Sequence, residues 1–193
     1  MRAGTLEKLD TLVPRILPQV IPCPRSMVLD ALQTLSVDFC TQTGAWQSVI
    51  VEPVLTGEPR IPMECGRDAV VANVKAVYLD GNELPKAQYM VTPYDLVLRF
   101  TPQQNASATI DATIRPKRTA ETLPAELLEE WGDILAYGAL AKIKAMSGPN
   151  ISWTDVSGAS INLDLYNEGC ARARLRVFRH RIGDGSLYLT AGE

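Results

Sequence analysis

The apolar positions change period twice along the chain, and each change marks a segment. Val28, Leu32, Leu35 and Phe39 follow one another at i, i+4, i+7 and i+11, one face of an amphipathic helix. Ser26 fits the N-cap of that helix and Gly44 its stop. Ahead of it, Leu6, Leu9, Leu12 and Val13 also stand at helical spacing until Pro14, Pro18, Pro22 and Pro24 interrupt them. The expected result is a short helix followed by an extended, proline-stiffened strap.

From residue 47 the period shortens. Val49, Ile50, Val51 and Val54 lead into prolines and glycines, and Val70, Val74, Val77 and Leu79 then sit among β-branched neighbours. Asp80-Gly81 is a strong two-residue turn signal. Leu96, Leu98 and Phe100 alternate in one further strand, and Ile110, Ala112 and Ile114 in another, which Pro116 ends. Short strands with polar turns between them predict an antiparallel sheet or small sandwich over 47–116.

The helical period returns at Leu123-Pro124. Leu127, Leu128, Trp131, Ile134, Leu135, Ile143 and Met146 make a broad apolar face, with Gly148-Pro149 as the stop. This helix carries Gly132 and Gly138 and alanines at 136, 139, 141 and 145, although an interior glycine costs about 1 kcal/mol against alanine. Such small residues predict a close approach, most simply by the two other long helices and otherwise by a partner subunit. A loop with Trp153 leads to a third helix from about Ser160 to Ile182, with the stripe Leu163, Tyr166, Cys170, Ala173 and Val177, before Gly183-Asp184-Gly185 releases an extended tail. The expected fold is therefore α+β: a bundle of three main helices with an inserted antiparallel β-block and a C-terminal tail. Its parts are the strap and first helix (1–46), the β-rich insertion (47–116), two long helices (117–182) and the tail (183–193), in a single domain.

Composition changes this picture little. The 193 residues are 46% hydrophobic and 21% charged, enough for a real core and too apolar for disorder. No apolar run reaches the roughly 20 residues a membrane span needs. The first residues lack the basic-then-apolar order of a signal peptide, which predicts a cytoplasmic protein. The four cysteines are scattered without a C-x-x-C pair and the chain has one histidine, His180, so buried free thiols are expected rather than a zinc site. Phosphate-loop, dinucleotide, zinc-protease and serine-hydrolase motifs are all lacking from the sequence. Glu129 and Glu130 suit the start of a helix, and no catalytic or cofactor residues are assigned. The chain is read as a non-enzyme.

Charge is distributed unevenly. Residues 170–182 hold five of the 19 basic residues, Arg172, Arg174, Arg176, Arg179 and Arg181, and no acid, leaving 14 basic groups against 22 acidic ones elsewhere. At 100° per residue, Arg172, Arg176 and Arg179 share a face, with Arg174 and Arg181 roughly opposite. Three readings stand open. They are a solvated face near a helix C-terminus, phosphate binding to nucleic acid, and docking on an acidic protein surface.

Taken in order, these pieces resemble the head-to-tail adaptor (connector) proteins of short-tailed bacteriophages. The resemblance runs through the lead "LVPRILPQVIPCP", the helix "ALQTLSVDFCTQTGAW" and the β-block with "VKAVYLDGNEL" and "IRPKRTAETLPAELLEEW". It continues in "ILAYGALAKIKAMSG", Trp153 and the arginine-studded last helix. It covers nearly the whole chain and rests on order and spacing rather than on a fingerprint. It implies a structural virion protein, assembled in the host cytoplasm, that forms a ring, usually twelvefold, at the neck. Such a ring docks on the portal protein and links it to the tail or nozzle protein, while DNA passes through the lumen without specific binding. No cofactor and no membrane are implied. On this reading the basic charge of the last helix makes Arg172, Arg176, Arg179 and Arg181 the expected partner-binding residues, although the family does not require so dense an arginine tract. Ser186, Leu187, Tyr188 and Leu189 of the tail join them, since their extended pattern is expected to add a strand to a partner. A DNA-binding packaging or regulatory protein using the arginine helix, or another neck component such as a head-closure or tail-completion protein, are the alternatives.

Overall fold

The computed structural model describes residues 5–149 and 151–183, without the side chains of 180–183. The chain opens with β1 (Leu6–Lys8), a 3-10 turn and a single helical turn α1 (Val13–Ile16), followed by the first long helix, α2 (Arg25–Thr43). Seven strands come next: β2 (Gln47–Val54), β3 (Arg60–Pro62), β4 (Ala69–Leu79), β5 (Asn82–Glu83), β6 (Tyr89–Val91), β7 (Asp95–Leu98) and β8 (Ala106–Pro116). A short β9 (Thr122–Pro124) precedes the helices α3 (Ala125–Lys144) and α4 (Val156–Gly183). The protein is of the α+β class, with antiparallel sheets throughout.

Two hydrophobic cores follow from the two periodicities. In the helical core α3 lies against both α2 and α4, and Phe39 meets Trp131 at a ring-centroid distance of 5.9 Å. The α2 face expected from the sequence is the buried one, with Val28, Leu32 and Phe39 sealed and Leu35 partly so. In the β-block, β2-β8-β4-β5 form one sheet and β3-β7-β6 another, and both send side chains into one core that includes Ile50, Ile61, Val77, Leu96 and Ile110. Trp46 packs against both cores, where α2 hands the chain to β2.

Turn chemistry sets the joints. Asp80 (φ 47) and Gly81 (φ 84) both adopt left-handed backbone and close the two-residue hairpin between β4 and β5, as the Asp-Gly pair predicts. Gly44 ends α2 in the left-handed conformation (φ 62), its N–H donating to the Cys40 carbonyl at 3.0 Å. An added Cβ there would also sit 3.2 Å from the Thr113 methyl. Gly44→Ala is thus expected to destabilise the protein by about 1–2 kcal/mol, from the left-handed penalty. A urea midpoint equal to that of the wild type would contradict this.

The structure corrects several boundaries. Leu6 is an exposed residue of β1, not the first turn of a helix, because residues 6–8 pair with 122–124. Leu9, Leu12, Val13 and Ile16 are then buried by a run of 3-10 and α turns through Gln19, which prolines at first-turn positions tolerate. Pro24, not Ser26, is the N-cap of α2. Helix α3 ends at Lys144, ahead of Gly148-Pro149. The long C-terminal helix begins at Val156, ahead of Ser160, and Leu163 is 49% exposed rather than part of its packed stripe.

The glycines of α3 answer to packing. A Cβ at Gly138 would lie 2.7 Å from the Tyr166 ring of α4 and 2.8 Å from Leu35 of α2, so both neighbouring helices crowd this point. Gly132 faces something else: its nearest neighbour is Leu12 in the N-terminal turns, at 3.0 Å from a built Cβ. A third close contact was invisible to the glycine pattern of α3, since Gly169 of α4 sits directly against Ile134.

All four cysteines are free; Cys23, Cys40 and Cys170 are buried and Cys65 is half-buried. Burial pushes the Cys40 thiol up to about 12 and, helped by Glu52, that of Cys65 up to about 11.

Candidate partner-docking face

The arginine-rich segment is held in place by the start and the inner face of α4. Asp155 caps the helix: its carboxylate accepts the Gly158 N–H at 2.8 Å and pairs with the Lys144 ammonium at 3.1 Å. Those two bonds hold its pKa below the ordinary carboxylate value. A Cβ at Gly158 would lie 2.0 Å from an Asp155 oxygen, so a larger residue there would require the Asp155 side chain to shift. This cap explains the early helix start, which the sequence concealed because "VSGAS" carries no apolar period.

Ala159, Asn162, Tyr166, Cys170 and Ala173 turn inward. The Asn162 amide donates to the Gly158 carbonyl at 2.6 Å, and the Tyr166 hydroxyl donates to Asp38 of α2 at 2.8 Å. Burial, and then that bond to Asp38, raise the Tyr166 pKa above its ordinary value. Tyr166 therefore fixes the rotation of α4 against α2 as well as filling the notch at Gly138.

That rotation decides where each arginine goes. Arg172, Arg176 and Arg179 all lie on the exposed side of α4, as their spacing predicts. Arg176 leans toward α3 and forms an ion pair with Glu130. Arg172 stands 3.9 Å from Glu168, one turn back on its own helix. Arg174 points the other way and donates to the Gln42 side chain of α2 at 3.1 Å. Arg181 belongs to α4, but its side chain lies outside the described residues, as do Ser186, Leu187, Tyr188 and Leu189. Glu130, expected as a dipole partner at a helix start, instead sits in the second turn of α3 and serves Arg176.

Two apolar members of this face were missed. Leu175 and Phe178 are 57% and 58% exposed between the arginines. Their spacing from Ala171, at i+4 and i+7, is the signal that could have revealed them. The face thus offers apolar surface framed by guanidinium groups, which fork carboxylates bidentately.

Among the described residues no group of three or more His, Cys, Asp or Glu side chains is arranged to hold a metal ion. Among the same residues no helix is long and apolar enough to cross a membrane. No protein-family model matches the chain, and no curated protein matches it.

Proposed function

We propose that this protein is a structural component of a phage virion, a ring-forming head-to-tail adaptor that docks on the portal and links it to the tail or nozzle protein. The observation that carries the reading is the arginine row on the exposed side of the last helix of an α-β-α-α chain. Arg172 and Arg179 stand at its surface, Arg176 is tethered beside them, and Leu175 and Phe178 supply apolar contact. Such a combination favours an acidic protein surface, because carboxylates match guanidinium geometry while the apolar pair gains from burial. The acidic remainder of the chain disfavours DNA as the ligand and suits a lumen through which DNA slides without adhering. In this role the protein turns over no substrate and needs no cofactor.

The test is co-sedimentation with portal rings, followed by electron microscopy of the assembled neck. Wild-type protein is expected to add a symmetric layer beneath the portal. Reversing Arg172, Arg176 and Arg179 to glutamate is expected to weaken docking by tenfold or more, about 1.4 kcal/mol or greater. Fold stability should change little, since exposed ion pairs such as Arg176–Glu130 contribute roughly 0–1 kcal/mol. Deleting residues 184–193 is expected to weaken portal binding as well; unchanged binding would remove the tail from the docking site. Tight, salt-dependent binding to duplex DNA would favour the packaging or regulatory reading instead.

A further inference from the structure

A second row, apolar at Ile161, Ala171, Leu175 and Phe178 and acidic at Asp164 and Glu168, runs along the outer side of α4. Ile161, Asp164, Glu168, Ala171, Leu175 and Phe178 follow the alternating three-and-four spacing of a coiled-coil seam. Ile161 is 61% exposed, and Leu175 and Phe178 nearly as much, while the bundle is packed by the separate row through Tyr166, Cys170 and Ala173. A lone exposed leucine needs no explanation, but large apolar groups aligned on one seam make a surface fit for another helix.

Charge on this side is divided along the helix. Asp164 and Glu168 occupy the N-terminal half, and Arg172 and Arg179 the C-terminal half, with Arg176 at the margin tied to Glu130. A parallel copy would set like charge on like. An antiparallel copy lays each acidic half over a basic half, so the acids that the arginines call for are present on the same helix. In the seam register that crosses near residue 170, Ile161 of each copy faces Phe178 of the other. Glu168 then faces Ala171 next to Arg172, and Asp164 faces Leu175 between Arg172 and Arg179. Ala171 contributes little volume at the crossing, which allows close approach.

The geometry points to a second copy of this chain as the occupant: the free protein pairs through α4, antiparallel and two-fold symmetric. Such an isologous contact is closed and does not propagate into a ring. The pairing rests on α4 alone. Its consequence rests on the adaptor reading: the pair covers the arginine face until the portal takes it, so dimer and docked ring are alternatives. Three large apolar side chains per copy suit a weak, micromolar dimer rather than an obligate one.

Sedimentation velocity of the full-length protein from low to high micromolar concentration tests this. The expected result is a monomer–dimer equilibrium that Phe178→Asp weakens by roughly tenfold. Asp164→Arg should weaken it too, and adding Arg179→Asp should restore it, since the swap re-forms the opposed charges. All three positions are exposed, so circular dichroism should find every variant folded. A wild type that stays monomeric, a dimer indifferent to Phe178→Asp, or a charge swap that fails to rescue would each overturn the pairing. A monomeric protein that still docks on portal rings would remove the dimer and leave the adaptor reading standing. A dimer that ignores portal rings would do the reverse. Preferential capture of a synthetic acidic amphipathic helix by the monomer, with no self-association, would assign the seam to a foreign partner.

Discussion

Replacing Gly169 by alanine is expected to destabilise the protein, although helix propensity alone argues for a gain of about 1 kcal/mol. A Cβ at this position would lie 2.5 Å from both Cδ1 and Cγ2 of Ile134 and 2.7 Å from Cγ1. Ile134 is 7% exposed and β-branched in mid-helix, so one rotamer dominates and Cγ2 cannot swing aside. The helices must separate, and overpacking of this kind costs about 1–3 kcal/mol. We expect a net loss of about 2 kcal/mol and a fall in Tm of about 5 °C for a chain of this length. Gly132→Ala is the contrasting case. Its nearest obstacle is the terminal methyl of Leu12 at 3.0 Å, which can rotate away, so the change should be close to neutral. Pairing Gly169→Ala with Ile134→Ala should cost less than the sum of the two single changes, because the added methyl enters the space the isoleucine vacates. A rise in Tm for Gly169→Ala would show that the α3–α4 crossing is looser than these distances require.

Stability is expected to fall steeply as pH rises from about 9 to 12. In the unfolded chain a cysteine thiol ionises around its ordinary value of 9.0, whereas Cys40 in the fold holds its proton to about 12. Across that window the folded state binds a proton that the unfolded state has released, so each added pH unit favours unfolding by up to about 1.4 kcal/mol. The stabilisation is complete below pH 9 and amounts to about 4 kcal/mol lost by pH 12. Cys65, raised to about 11, and Tyr166, raised by burial and its bond to Asp38, act in the same direction. Urea midpoints from pH 8 to 11 measure the slope. Cys40→Ala should reduce that slope whatever it does to stability at pH 7, where the lost side-chain volume leaves its own deficit. An unaltered slope in that variant would show that the Cys40 thiol ionises no later in the fold than outside it.

Residues whose structural role depends on near neighbours were readable from the sequence. Val28, Leu32 and Phe39 face the core because a helix brings i, i+4 and i+11 to one side. Asp80 and Gly81 make the turn because few other pairs tolerate two successive left-handed residues. The arginine row on one side of the last helix follows from the same 100° geometry. The N-terminal strand was not readable, although Leu9, Leu12 and Val13 do lie in helical turns as their spacing predicts, because Leu6 joins a strand only through Pro124, more than a hundred residues away. Nor was the start of α4, where a carboxylate cap does the work and no apolar pattern announces it.

Local pattern by itself determined that the chain is α+β, where its long helices and main strands lie, and that basic charge gathers on the last helix. Tertiary structure decided which of the two apolar rows on α4 is buried. The row through Tyr166, Cys170 and Ala173 is the stripe its spacing predicts, but the row through Ile161, Leu175 and Phe178 has helical spacing too, so spacing alone does not exclude it. The choice falls to the surface opposite: a notch at Gly138 that admits the Tyr166 ring, with Asp38 placed to accept its hydroxyl. Burying the first row turns the second outward together with Arg172 and Arg179, and the small residues of "EEWGDILAYGALAKIKAMSGP" thereby set the face that the last helix presents to solvent.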